Sequence, residues 1–266
     1  MAGARVACLG PQGSFSSRAA SELVSGARLV LTDGFLQAFE LLLAGNVEYA
    51  VVPVENSIQG GVLKNLDLLA NTAGVLAIKK RALPIDHRLV TRGKVDFSEI
   101  ERVYSHEQAL AQCSRFLDEN IPSAQRVCTL STAESLKLLD GHSAGIVGSH
   151  IQGEGLVLSK ENIANERDNF TEFLLLARRG ALPKASEKIF FCVSLIGGAG
   201  VLFRFLEIFA RRNISLTRIE SRPIPEKIGC YRFFIECEGD IGRADVRAAL
   251  DEAEGASAEF KLLGAY

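Results

Sequence analysis

Five short segments of this 266-residue chain carry the side chains best suited to chemistry. They are Gly10-Pro-Gln-Gly-Ser-Phe-Ser16, Pro53-Val-Glu-Asn-Ser-Ile-Gln-Gly60, Ser105-His-Glu-Gln108, Leu130-Ser-Thr132 and Asp168-Asn-Phe-Thr-Glu-Phe173. Glycines and hydroxyls ahead of a helix leave backbone N–H groups free to hold an anion. Several such loops around one cleft suit a small polyanion such as a dicarboxylate. Each segment also has a purely structural reading. Ser105-x-x-Gln108 and Ser131-x-x-Glu134 are capping-box patterns, and Gly10, Gly13 and Gly60 fit tight turns.

Other chemistries find no support. The four histidines and six cysteines are scattered, with no H-E-x-x-H, no C-x-x-C and no Cys/His cluster, so neither a metal nor a disulfide framework is expected. There is no P-loop and no G-x-G-x-x-G after a strand, so no cofactor is expected. A net charge of −2 offers no field for nucleic acid. No stretch approaches the ~20 apolar residues of a membrane span. The first ten residues lack the basic start and apolar run of a signal peptide, so a cytoplasmic protein is expected.

The elements that must position these segments follow from periodicity. With 47% hydrophobic residues the chain can bury a sizeable core. Arg5–Leu9, Tyr49–Val54, Val75–Ile78, Arg126–Thr129 and Ala144–Val147 read as buried strands. Helical patterns fall at Phe15–Val24, Phe35–Leu43, Gly61–Leu69, Glu107–Leu117 and Thr132–Leu139. The alternation predicts a mostly parallel α/β sheet, with ligands beyond the strands' carboxyl ends. A charged linker, Arg178–Glu187, ends this part. Strands at Ile189–Ile196, Ile214–Glu220, Cys230–Glu236 and Glu259–Leu263, with helices at Val201–Ala210 and Arg243–Glu254, then match a ferredoxin-like βαββαβ unit.

Taken together, GPQGSFSSRAA, VPVENSIQGGV, YSHEQALAQC and NFTEFLLLARRG resemble the successive motifs of the prephenate dehydratases, and NISLTRIESRP resembles the ACT regulatory domain of bacterial members. The resemblance covers essentially the whole chain. It implies a catalytic domain over residues 1–180, with two lobes like those of type II periplasmic binding proteins. The lobes would be about 1–78 with 155–180, and 79–154, and the ACT domain would span 187–266. It implies a lyase that converts prephenate to phenylpyruvate, inhibited by L-phenylalanine and assembled as a homodimer or homotetramer. Such chemistry needs no metal or nucleotide, because the new aromatic ring supplies the drive and a positioned hydroxyl can assist the leaving group.

By the same resemblance, the family's Thr-Arg-Phe motif maps its essential threonine onto Thr171. Ser14, Ser16, Asn56, Ser57 and Phe173 would bind substrate, faced by Ser105, His106, Gln108, Ser131 and Thr132. Gly198, Ala199, Glu220, Ser221 and Arg222 would bind the effector. The chain departs from the pattern in several places. Glu172 replaces the arginine, Asn165 an aspartate, Glu107 a proline, Ser14 a threonine and Gly200 a leucine. In an extended segment Thr171 and Glu172 should point to opposite faces, which keeps the charge reversal out of the cleft. Two other readings stay open: a prephenate decarboxylase that does not aromatise its product, and a non-catalytic amino-acid or prephenate sensor.

Overall fold

The computed structural model describes residues 3–129, 134–151, 153–178, 180, 183, 185–224 and 230–266. The chain opens with β1 (Arg5–Leu9), α1 (Phe15–Leu23), β2 (Arg28–Thr32), α2 (Phe35–Leu43), β3 (Tyr49–Asn56), β4 (Gly60–Gly61), α3 (Leu63–Asn71) and β5 (Val75–Pro84). β1 lies parallel between β2 and β3. Helices cover the sheet, so Val6, Ala7, Cys8 and Ala50–Val52 are wholly buried and the strands read as apolar runs rather than alternating ones.

β6 (His87–Arg92), β7 (Arg102–Ser105), α4 (Glu107–Gln112), α5 (Ser114–Asn120), β8 (Gln125–Cys128), β9 (Ser143–Gly148) and β10 (Leu156–Lys160) build a second lobe on a five-stranded sheet, ordered β10-β6-β9-β7-β8. The chain then returns as β11 (Phe170–Arg178), antiparallel between β3 and β5 of the first sheet. The βαββαβ unit follows as β12 (Lys188–Leu195), α6 (Val201–Ala210), β13 (Leu216–Pro223), β14 (Tyr231–Glu238), α7 (Ala244–Gly255) and β15 (Glu259–Ala265), in the order β13-β14-β12-β15.

This last unit is fused to the first lobe. β15 runs parallel beside β5, with Gly264 opposite Ala77, so one sheet of ten strands crosses both units. A Cβ on Gly264 would stand 2.4 Å from the carbonyl oxygen of Ala77; only glycine fits there. α6 and α7 cover one face of the unit, around Phe191, Phe205 and Phe209. The other face presses Phe190, Cys192, Phe234 and Leu263 into the core of the first lobe, against Leu66, Leu69 and Leu174.

Four expectations need correction. Residues 79–84 stay in the first sheet because β5 pairs with β11 as far as Pro84, and residues 156–160 join the second lobe by pairing with β6. The helix expected over Glu107–Leu117 breaks at Cys113, where ψ is +11°. The helix expected from Gly61 starts at Leu63, since Gly60 and Gly61 pair with β3. Within Thr132–Leu139 the described part is a 3₁₀ turn, Glu134–Leu138, and Thr132 lies outside the described residues.

Candidate active site

Thr171, the second residue of β11, lies directly opposite Asn56, the last residue of β3. The Asn56 side-chain amide donates to Thr171 Oγ1 at 3.0 Å, to Asn169 Oδ1 at 2.6 Å and to the Phe170 carbonyl at 3.1 Å. Its Oδ1 accepts from the backbone N–H groups of Ile58 and Gln59 at 3.1 and 3.0 Å. An asparagine has two donor hydrogens and two acceptor lone pairs; the three acceptors share the two hydrogens and both lone pairs are taken, so Asn56 has nothing left for a ligand. The consequence falls on Thr171. Its oxygen accepts from Asn56, which leaves its O–H to donate elsewhere.

That elsewhere is a cavity of about 440 Å³ between the two lobes. From the first lobe it is lined by Leu9, Pro11, Ser14, Phe15, Ser16, Phe35, Asn56, Gln59, Val62, Thr171 and Phe173, and from the second by His87, His106, Gln108 and Gln112. Ser14 is the N-cap of α1, accepting from Ser17 N at 3.2 Å and donating to the Leu9 carbonyl at 2.9 Å. Ser16, 7% exposed, keeps its hydroxyl free of protein partners among the described residues. The first N–H groups of α1 have no carbonyl in the helix to meet. Among the described lining residues there is no lysine or arginine. A dianion here would be held by neutral donors and helix-end N–H groups.

The opposite wall is set by α4. His106 is its N-cap, Nδ1 accepting from Gln108 N at 3.2 Å, so the neutral ring carries its proton on Nε2 and presents a donor there. The Gln108 amide donates to Gln59 Oε1 at 3.0 Å, a bridge between the lobes. His87 is 3% exposed, with Nε2 2.9 Å from Gln112 Oε1 and its ring edge-on to Phe15. Burial pushes its pKa down, against smaller opposing effects of Gln112 and Asp86, so it is neutral near pH 7.

The sequence expectations thus divide. Thr171, Ser14, Ser16, Asn56, His106, Gln108 and Phe173 meet at one cavity. Ser57 does not line it. Ser57 Oγ accepts from Phe170 N at 2.9 Å and donates to the Asp168 carbonyl at 3.2 Å, stitching two loops together. Ser105 is wholly buried and donates to the Ile146 carbonyl at 2.7 Å, so it is neither cap nor ligand. Ser131 and Thr132 lie outside the described residues. Gln59, His87, Gln112 and Asn169 were not foreseen. Gln59 and Asn169 sit inside the polar segments singled out above, whereas nothing marks Gln112 within its helix.

A model of the prephenate dehydratase family matches residues 6–181, and one of the ACT domain matches residues 193–255. The chain belongs to the prephenate dehydratase family. It is 34% identical to the bifunctional chorismate mutase/prephenate dehydratase of Aquifex aeolicus, over 98% of this chain and 73% of that protein. It is 32% identical to the prephenate dehydratase of Amycolatopsis methanolica, over 98% of this chain and 88% of that one. Among solved structures, the prephenate dehydratase of Arthrobacter aurescens in complex with L-Phe superimposes with a TM-score of 0.87 at 34% identity, covering 98% of this chain and 89% of that one. The Staphylococcus aureus prephenate dehydratase gives 0.86 at 26% identity, over 98% and 99%.

Set in this family, the departures have local explanations. Glu172 points away from the cavity and pairs with Lys80 at 3.0 Å. Asn165 caps α5, its Oδ1 accepting from Arg115 N at 3.0 Å and its amide donating to Ser114 Oγ at 3.1 Å. Glu107 lies in the first turn of α4, where a carboxylate suits the helix dipole. Gly200 stands before α6 at φ +81°, a left-handed conformation that disfavours leucine.

The residues expected to hold an effector lie at one end of the ACT sheet, where Leu195 and Pro223 both pair with Tyr231. Gly198 and Ala199 form an exposed loop there, and Ser221 is exposed on β13. Glu220 and Arg222 turn the other way. Arg222 holds Asp67 of α3 at 2.6 Å and Glu220 lies against Gly61, so in a single chain both serve the contact with the first lobe.

Proposed function

We propose that this chain is a cofactor-free lyase that converts prephenate to phenylpyruvate. Electrons from the breaking bond to the ring carboxylate flow through the diene, carbon dioxide leaves, and the ring hydroxyl is expelled as the ring becomes aromatic. The departing oxygen takes up a proton and leaves as water. The observation that carries this reading is the hydroxyl of Thr171, whose oxygen is held by Asn56 so that its O–H can donate to the leaving group. Ser16, His106 Nε2 and the first N–H groups of α1 are the donors we assign to the two carboxylates.

The test is to incubate purified protein with prephenate near pH 7, without metal or nucleotide, and follow phenylpyruvate by its absorbance in alkali. Turnover well above the spontaneous rate is expected. Thr171→Ala should fold normally and lose at least ~100-fold in kcat, the scale of a lost acid or oxyanion donor. Prephenate consumed without phenylpyruvate would indicate decarboxylation alone. Binding without consumption, seen by calorimetry, would indicate a sensor.

L-phenylalanine is the effector we assign to the ACT unit, on the strength of the L-Phe complex of the Arthrobacter aurescens relative. The assembly is a homodimer or homotetramer in this reading. Ile196, Phe203 and Ile219 of the ACT unit are 66%, 71% and 48% exposed, apolar side chains that a second copy could cover. Gel filtration returning a clean monomer would remove it. A cytoplasmic location accords with the absence, among the described residues, of any helix long and apolar enough to cross a membrane.

A further inference from the structure

Thr171 and Asn56 face each other across β11 and β3 on the cavity side, and the residues beside them, Glu172 and Glu55, face each other on the back. Two carboxylates directly opposite on neighbouring strands repel. Each is met by a cation. Arg218 of β13, 8% exposed, pairs with Glu55 and donates to the Val54 carbonyl. Lys80 of β5, 15% exposed, sits 3.0 Å from Glu172 and 2.9 Å from Glu236 of β14. Glu236 is 2% exposed and also accepts from Lys188 at 2.9 Å, Thr217 at 2.6 Å and the Tyr266 hydroxyl at 2.6 Å. The back of the catalytic pair is therefore tied to the ACT sheet by charge.

We propose that Lys80, Glu172 and Glu236 form a positioning relay through which the ACT sheet holds the Thr171 hydroxyl in register with the cavity. The relay rests on the assignment of Thr171 as the reacting hydroxyl. Thr171 is the second residue of β11, and Phe170 before it is 43% exposed, so on the cavity side this end of the strand is held by the hydrogen bonds of Asn56 and Ser57. The anchors behind it are backbone pairing and the side chain of Glu172. Consecutive side chains of a strand point to opposite faces, so a shift of Glu172 on one face moves Thr171 on the other. Misplacement by about 1 Å can cost ~100-fold in rate.

Glu172→Gln is the decisive variant, because it leaves Lys80 on Glu236 and the contact between the units paired. The expected result is a kcat lower by ~10-fold or more with KM within about twofold, measured well below the melting temperature. Lys80→Met should show the same split. Lys80→Met combined with Glu172→Lys should recover kcat to within about threefold, since an ammonium carried by β11 itself reaches Glu236 directly. Folding is checked by thermal melts of each variant. If Lys80→Met does not fold, Glu172→Gln decides alone. A folded Glu172→Gln with unchanged kcat overturns the relay. So does a paired variant that folds and remains as impaired as Lys80→Met, since that would mean Lys80 acts by packing. An unmutated protein that does not turn over prephenate overturns the underlying reading instead, and the relay with it.

Discussion

Asn56 shows how one side chain can be essential without touching a ligand. Its amide closes the turn at Ile58 and Gln59 and fixes Thr171, Asn169 and Phe170. Asn56→Ser is too short to reach Thr171 Oγ1, so that hydroxyl would rotate freely. A loss of ~10-fold or more in kcat is expected, with KM little changed, in steady-state kinetics with prephenate. Asn165→Ala should behave oppositely, because that side chain caps α5 and does not line the cavity that holds Thr171. It should cost about 1 kcal/mol in urea denaturation and leave kcat alone. Both asparagines are prominent in the sequence, yet only the fold separates the two roles. Ser105 teaches the same lesson: its spacing to Gln108 matches a capping box, but His106 makes the cap and Ser105 turns inward to Ile146.

At the scale of elements, β11 is the piece on which the site depends. It closes the first sheet between β3 and β5, lines the cavity with Thr171 and Phe173, and offers Glu172 and Leu174 to the ACT side. The alternation that separates Thr171 from Glu172 was legible in the sequence, as were the strands rich in buried valine and alanine. β2, β7 and β10 were not: β2 and β10 are five residues long with partly exposed patterns and β7 is only four residues long, too short for periodicity to stand out. The break between α4 and α5 was hidden because Asn165, fifty residues away from Arg115, supplies the cap. The β15–β5 junction was equally hidden, since one parallel contact leaves no pattern. It does make a prediction: Gly264→Ala would drive a methyl into Ala77 and force the two strands apart. We expect a loss of about 1–3 kcal/mol in chemical denaturation, typical of overpacking.

For the whole molecule, the shared sheet makes the seam between the two units one of the places where acid should act. Burial would raise the pKa of Glu236, but hydrogen bonds from Thr217, Tyr266, Lys80 and Lys188 bring it down to about 2. A carboxyl lowered in this way adds stability that is complete above its unfolded value, near 4.5, and is lost as pH falls from there through 2. The histidines act in a separate window. Burial lowers the pKa of His87 and of His150 from 6.5, so the unfolded chain takes up protons first and stability declines as pH drops below that value. Thermal melts across pH should therefore show two declines, one below 6.5 and one below 4.5. Glu236→Gln should remove much of the second and leave the first in place, while lowering stability at pH 7 because Lys80 and Lys188 lose their shared carboxylate. A second decline of undiminished size in that variant would mean that surface carboxylates, rather than the seam between the units, govern the acid response.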